Sequence, residues 1–157
     1  MKPTVRIGLC ILVLLCLSQR GWAGTGADAA TIIPSVVERG LSAFRVNGGE
    51  EAIRNWTRDG PLEGSRGEAT EIAAIEKLEG LYGRFQGSSV IAEVELSPGS
   101  TLLYLEVRLE DGPIYVRLHV FDGRKGERVV GMTIGAAPEQ ILPPFVLERR
   151  TSGVPAP

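Results

Sequence analysis

The side chains best suited to acid–base chemistry lie in one stretch, between residues 104 and 119. Glu106 could act as a base, His119 as an acid and Tyr104 as the orienting group, as in an isomerase, dehydratase or hydrolase. His119 is the only histidine, so a site with several histidine ligands for a metal ion cannot be built. The sequence therefore allows an acid–base pocket and predicts neither a metal site nor a cofactor.

The same side chains also have a purely structural interpretation. His119 can be a cross-strand partner of Tyr104, and Glu106 can pair with Arg117. A solvated ion pair of this kind stabilises a protein by at most about 1 kcal/mol. Aromatic residues and arginine are also the composition that protein interfaces prefer. The candidate binding residues of this surface are Tyr104, Glu106, Arg108, Tyr115, Arg117, His119 and Phe121.

A β-hairpin is predicted to position these residues. Asp111-Gly112 lies between two alternating apolar runs and is typical of a two-residue hairpin loop. With these two residues as the loop, the outer face pairs Tyr104 with His119, Glu106 with Arg117, and Arg108 with Tyr115. The inner face is then entirely aliphatic and consists of Leu103, Leu105, Val107, Leu109, Ile114, Val116, Leu118 and Val120.

One further strand is predicted on each side of the hairpin. Before it, alternation predicts a strand whose apolar face is made of Val90, Ala92, Val94 and Leu96, followed by a turn at 97–100. After it, residues 127–134 predict a strand that buries Val130, Met132 and Ile134. Residues 138–142 predict a closing helical turn. The result is a meander of about four antiparallel strands.

Three helices are predicted before the strands. The first has Pro34 in its first turn and ends at 47–49, and the second covers 50–58 with acidic residues at its start. Ser65 and Glu68 form an S-x-x-E capping box at the start of the third. Gly80 and Gly83 in this helix indicate either the close approach of another backbone or fraying. Its predicted buried stripe is Ile72, Ile75, Leu78, Leu81, Tyr82 and Phe85.

The N-terminus predicts export from a bacterial cell. Residues 1–23 have the basic start, apolar run and small-residue end of a signal peptide, and the apolar run is too short to span a membrane. A lipoprotein signal is the alternative, but Cys10 and Cys16 each follow leucine rather than a small residue. We expect a flexible lead at 24–30, a single domain at 31–142 and a disordered tail at 143–157, in the periplasm or secreted.

Signal removal changes the charge and the cysteine content. The mature chain has no cysteine, and its 14 basic against 19 acidic residues give a net charge of −5. It therefore cannot form disulfides. Nucleic acid is disfavoured as a partner, because phosphate backbones attract basic surfaces.

The order of elements, together with local sequence, resembles the cystatin-like fold of the nuclear-transport-factor-two-like superfamily, and in particular its small exported bacterial proteins of unknown function. The resemblance covers roughly residues 31–142 and rests on four stretches: Leu81–Gly87, Leu103–Leu105, Gly112–Tyr115 and Val129–Ile134. It implies a pocket between the helices and the concave face of the sheet. It also implies either catalysis through Asp, Tyr or His, or binding without catalysis, with dimers formed through the sheet.

The fold class predicted is α+β, with N-terminal helices packed on a curved antiparallel sheet. The function predicted is an exported, non-enzymatic domain that binds a partner protein or a small apolar ligand and dimerises through its sheet face. An apolar ligand would lie against Leu103, Leu105, Val107, Val116 and Leu118. The alternatives are a pocket enzyme that uses Glu106, His119 and Tyr104, and a purely structural or accessory role.

Overall fold

Helices precede a four-stranded antiparallel sheet in the computed structural model, which confirms the predicted α+β class. The structure describes residues 33–152, with side chains described for 33–148. The predicted signal peptide and flexible lead lie outside the described residues, as do residues 153–157 of the predicted tail. The elements are α1 (Ser35–Asn47), α2 (Gly49–Thr57), α3 (Arg66–Tyr82), β1 (Phe85–Ser97), β2 (Ser100–Leu109), β3 (Gly112–Gly123), β4 (Gly126–Gly135), α4 (Pro138–Ile141) and α5 (Pro144–Ser152).

The first two helices pack around a single tryptophan. Trp56 is fully buried, and its indole N–H donates to the carbonyl oxygen of Val37 at 3.0 Å. Gly40 makes room for the ring, because a Cβ at this position would overlap the indole. The two helices are separated by Gly48, whose φ of 89° lies in the region that favours glycine. The predicted break at 47–49 is confirmed.

The start of α3 confirms half of the predicted capping box. Ser65 Oγ accepts a hydrogen bond from the Glu68 amide at 3.1 Å. The Glu68 carboxylate does not return to Ser65, however. It accepts from the Gly64 amide at 2.7 Å and from the Thr57 hydroxyl. Through these two hydrogen bonds, the buried carboxylate of Glu68 links the end of α2 to the turn before α3.

The predicted buried stripe of α3 is correct in part. The helix ends at Tyr82 rather than continuing to Gln86, so Phe85 lies on β1. Ile75 is fully buried, and Ile72, Leu78, Tyr82 and Phe85 pack against the core. The predicted burial of Leu81 is wrong, since this side chain is 63% exposed. Gly80 has no atom within 4 Å of where a Cβ would lie, so no backbone approaches it. Gly83 follows the last residue of the helix with a φ of 81°.

The central hairpin has the predicted faces in a different register. Leu109 pairs with Gly112, so Glu110 and Asp111 form the loop, and Leu103 lies opposite Leu118 rather than Val120. This offset of two residues leaves every side chain on its predicted face, because the side-chain period of a strand is two. The inner-face residues Leu103, Leu105, Val107, Ile114, Val116 and Leu118 are fully buried.

Contacts with the end of α3 fix this register. The Asp111 amide donates to the Tyr82 carbonyl at 2.8 Å, and the Glu110 amide donates to the Arg84 carbonyl at 3.1 Å. Gly112 lies against the Tyr82 ring, where a Cβ would stand 3.1 Å from Cδ1. The glycine therefore lies in the strand, packed closely against Tyr82, rather than in the loop.

Irregularities in the two edge strands correct the predicted alternation. In β1, Val90 pairs with Leu105 and Ala92 with Tyr104, so Ile91 is an extra residue. Val90 therefore faces the helices, whereas Ala92 and Val94 face the other side of the sheet. A similar shift in β4 buries Val129 fully instead of the predicted Val130.

Both faces of the sheet are covered. The main core lies between the inner face and helices α1–α3. On the outer face, Ile141 of α4, Leu142 directly after it and Val146 of α5 belong to a second buried cluster, which we call the outer cluster. Residues 144–152 are thus helical where the sequence analysis predicts a disordered tail, because their apolar side chains find partners on the outer face. Within the described residues, no helix has the length and apolar character needed to cross a membrane.

Candidate functional site

The structure separates the predicted outer-face residues into buried and accessible groups. All seven alternate with the buried inner-face residues of β2 and β3, as predicted. Tyr104 and Tyr115, however, are only 5% and 8% exposed, because α4 and α5 lie over them. A sheet-face dimer would have to form elsewhere on this face, around residues such as Phe121, which is 40% exposed. The homodimer stays a prediction.

The predicted cross-strand pairs of this face are wrong as a result of the register. Tyr104 lies opposite Arg117, Glu106 opposite Tyr115, and Arg108 opposite Pro113. Arg117 donates from Nη2 to the hydroxyl of Thr133 on β4 at 3.0 Å. The predicted opposition of Glu106 and Arg117 is therefore replaced by a link between β3 and β4.

His119 has a hydroxyl neighbour that the sequence analysis missed. Its Nε2 lies 2.8 Å from Ser100 Oγ, and its strand neighbours are Leu102 and Gly131. The predicted register differs from the observed one by two residues and places Tyr104, instead of Leu102, opposite His119. Ser100 is then too far from His119 for the contact to be expected. Ser100 is itself buried.

The predicted acid–base set does not converge. Glu106 lies opposite Tyr115, and His119 is four residues further along β3. At the usual rise of a strand, the two positions are about 13 Å apart, too far for both to act on one small reacting group. Among the described residues, no group of three His, Cys, Asp or Glu side chains could hold a metal ion.

A cavity of about 310 Å³ lies where α1 and α3 end and β1 begins. We call it the end cavity. Its residues come from four separate stretches of sequence, so no single motif indicates it. The lining consists of Phe44, Arg45, Val46, Gly48, Glu79, Arg84, Phe85, Gln86 and Glu110.

The end cavity has an aromatic part. The rings of Phe44 and Phe85 lie with centroids 5.1 Å apart and planes tilted by 36°. Phe44 is buried in the main core, whereas Phe85 is only partly covered. Phe44 is 2% exposed, so the Phe85 ring, which packs on it, is the part of the pair that can contact the apolar part of a ligand.

Charged side chains surround this aromatic pair. Glu79 Oε2 accepts from the Gly49 amide, the first residue of α2, at 3.0 Å. Glu110 accepts from the Arg84 amide at 3.2 Å and from Arg84 Nε at 3.3 Å. Arg45 takes part in neither of the ion pairs found within the described residues, Arg54–Glu50 and Arg84–Glu110. Its guanidinium is available to a ligand.

The arrangement suits binding better than proton transfer. Both carboxylates of the end cavity already accept hydrogen bonds, and no histidine, cysteine or tyrosine lines it. None of Tyr104, Glu106 and His119 belongs to its lining. An aromatic surface next to fixed charges can hold and orient a small molecule with one apolar and one polar part.

Comparison with known proteins adds a similar solved structure. No protein-family model and no curated protein matches the sequence. The chain is similar to a DUF4783 family protein from Bacteroides ovatus, known from a crystal structure, with 14% sequence identity and a TM-score of 0.46. The alignment covers 67% of this chain and 96% of that chain.

Proposed function

We propose that the chain is an exported, non-enzymatic binding domain of the nuclear-transport-factor-two-like superfamily, and that its end cavity takes a small amphipathic ligand. The observation that carries the proposal is the partly covered Phe85 ring next to two hydrogen-bonded carboxylates and to Arg45, which is outside the ion pairs of the described residues. The order of three helices and a four-stranded meander supports the superfamily, since it is the order that the sequence resemblance implies.

The inner sheet face is a poorer candidate for the ligand. Leu103, Leu105 and Val107 are fully buried and belong to the same cluster as Phe44 and Trp56. Their apolar surface is thus already in contact with the helices of the chain. The proposal therefore moves the ligand from the inner face to the end cavity, and changes its class from purely apolar to amphipathic.

The proposed binding can be tested by nuclear magnetic resonance with three small probes: 3-phenylpropionate, 2-phenylethylamine and L-phenylalanine. At least one of them is expected to shift the amide signals of residues 44–48 and 84–86 in a saturable manner. Gln86→Trp should abolish the shifts, because Gln86 is exposed and lines the cavity. If no probe moves these signals, the proposal is wrong.

A matched control separates blocking of the cavity from damage to the strand. Ser89 is also exposed and also lies on β1, but it is not part of the lining. Ser89→Trp is expected to leave the probe shifts unchanged. Equal losses in both variants would show that the strand, rather than the cavity, has been disturbed.

Export is part of the proposal and is supported by residues 1–23. Expression of the full chain in a bacterial host, followed by cell fractionation and mass measurement, tests it. The expected product lies outside the cytoplasm and begins at Gly24. A full-length product that stays in the cytoplasm would contradict export without affecting the end cavity.

A further inference from the structure

We infer that the end cavity selects a free α-amino acid with an apolar side chain, a ligand that carries an ammonium and a carboxylate on one carbon. The inference rests on the proposed binding function of the end cavity and adds the chemical class of the ligand. It depends on three features: the balance of charge, the position of Glu79 and the size of the space.

The formal charges of the lining cancel. Arg45 and Arg84 contribute two positive charges, and Glu79 and Glu110 contribute two negative charges. A ligand with a single negative charge would have to approach two carboxylates, and one with a single positive charge would have to approach two guanidinium groups. A zwitterion is neutral overall and can place each of its charges beside an opposite one.

Arg45 is suited to the carboxylate of such a ligand. Arg84 is already held by Glu110, at 3.3 Å from Nε to Oε1, whereas Arg45 is outside the ion pairs of the described chain. A guanidinium presents paired N–H donors that match the two oxygens of a carboxylate. Arg45 and Phe85 both line the end cavity, so a ligand whose carboxylate is held by Arg45 can also contact the Phe85 ring.

Glu79 is suited to the ammonium. Its Oε2 is fixed by the Gly49 amide, which leaves Oε1 as a second acceptor. Gly48 lies directly beside this oxygen, since a Cβ at position 48 would stand 3.5 Å from Oε1, in ordinary van der Waals contact. The positive φ of Gly48 further favours glycine here. The carboxylate is thus held in place before the ligand arrives.

The volume and the rings determine the rest of the ligand. A cavity of about 310 Å³ is at the lower limit for small-molecule sites, which begin at roughly 300 Å³. Such a space suits a molecule of the size of one amino acid. The partly covered ring of Phe85 then offers an apolar surface to its side chain.

Isothermal titration calorimetry with the three probes tests the inference. L-Phenylalanine carries both charges, 3-phenylpropionate lacks the ammonium, and 2-phenylethylamine lacks the carboxylate. We expect L-phenylalanine to bind at least about tenfold more tightly than either of the others, because each lost charged hydrogen bond removes this much affinity.

Two substitutions assign the charges. Arg45→Gln should weaken L-phenylalanine about tenfold and leave 2-phenylethylamine unchanged. Glu79→Gln should weaken the binding of L-phenylalanine by a similar factor and should not weaken the binding of 3-phenylpropionate. Glutamine is chosen because its carbonyl oxygen can still accept from the Gly49 amide. The matched controls are Glu38→Gln and Arg58→Gln, which change exposed charges outside the lining. They should alter none of the affinities.

The outcomes distinguish the two proposals. If 3-phenylpropionate or 2-phenylethylamine binds as tightly as L-phenylalanine, or if Glu79→Gln has no effect, the α-amino-acid class is wrong and the binding function stands. If none of the three probes binds, both are wrong. Because Arg45 is exposed on α1, its substitution keeps the test decisive even if Glu79→Gln fails to fold.

Discussion

At the scale of single residues, the contact between Gly40 and Trp56 is the most demanding in the main core. A Cβ at position 40 would overlap the indole, whose N–H donates to Val37 at 3.0 Å. We predict that Gly40→Ala lowers the free energy of unfolding by about 3 kcal/mol, from overpacking and a disturbed buried hydrogen bond. Urea unfolding followed by tryptophan fluorescence measures the change.

Gly80→Ala is the matched comparison, and we predict the opposite sign. Gly80 is also helical, but it is exposed and no atom lies within 4 Å of where the added Cβ would be. Alanine should raise the free energy of unfolding by about 0.5–1 kcal/mol through helix propensity. A loss of stability in this variant would mean that α3 has a neighbour at Gly80 after all.

These two glycines show what residue types alone could predict. The sequence analysis predicted either close approach at Gly80 and Gly83 or fraying. Gly83 does have a close neighbour, since an added Cβ would overlap Glu110, whereas Gly80 has none. The close contact at Gly40 was not predicted. Periodicity indicates which side of a helix is buried, but it does not show which residue of another helix lies opposite. Ser100 beside His119 was missed for a similar reason, since the contact depends on the register of two strands.

At the scale of elements, α3 protects the edge strand β4. Glu71 Oε2 accepts from the Ile134 amide at 3.1 Å, so an outward-facing amide of β4 is bonded. Burial raises the pKa of Glu71 above its ordinary value of 4.5, while the Ile134 amide and the charge of Arg117 oppose the rise. The contact therefore holds a carboxylate that is more easily protonated in the folded protein.

This raised pKa predicts a pH dependence. The folded state binds more protons than the unfolded state between the ordinary and the raised pKa, so the free energy of unfolding falls as pH rises through that window. Glu71→Gln should remove this fall and keep an acceptor for Ile134. Urea unfolding from about pH 4 to about pH 7 measures both profiles. Glu76→Gln, exposed on the same helix, should behave like the wild type, and an unchanged Glu71→Gln profile would contradict the assignment.

The hairpin shows which part of an element can be predicted. Alternation of apolar and polar residues fixed the two faces correctly, since only one choice of face buries the aliphatic set. The register was wrong because Asp-Gly was assigned to the loop, whereas contacts with Tyr82 and Arg84 place Glu110 and Asp111 there. Such long-range contacts are not visible in a local turn motif.

At the scale of the whole molecule, the docking of α5 gives the sheet a second covered face. Val146 is 6% exposed in the outer cluster, whereas its neighbour Phe145 is 45% exposed. We predict that Val146→Ser lowers the free energy of unfolding by about 1–2 kcal/mol, and that Phe145→Ser causes a smaller loss. Chemical denaturation measures both. Equal effects, or no effect of Val146→Ser, would mean that α5 is not docked.

The order of helices and strands could be predicted, because the apolar period changes from helical to alternating near Gly87. The docking of the C-terminal segment could not. Its apolar residues are few and lie between Pro143-Pro144 and Arg149-Arg150, so the segment alone looks unstructured. It becomes helical against Tyr104 and Tyr115, which the sequence analysis had assigned to an interface with another molecule. The end cavity could not be predicted from the sequence either, since its lining combines residues that lie far apart in the chain, from 44 to 110.

The extra residue in β1 has a consequence for how this protein can vary. In the residues just before Ile91 the even positions face the helices, as Val90 does, and directly after it they face the other side of the sheet, as Ala92 does. Deletion of Ile91 would leave Val90 opposite Leu105 and Ala92 opposite Tyr104, so the residues after it would keep their partners and their sides of the sheet. Homologues with and without this residue should therefore have the same pattern of polarity at the positions that follow it.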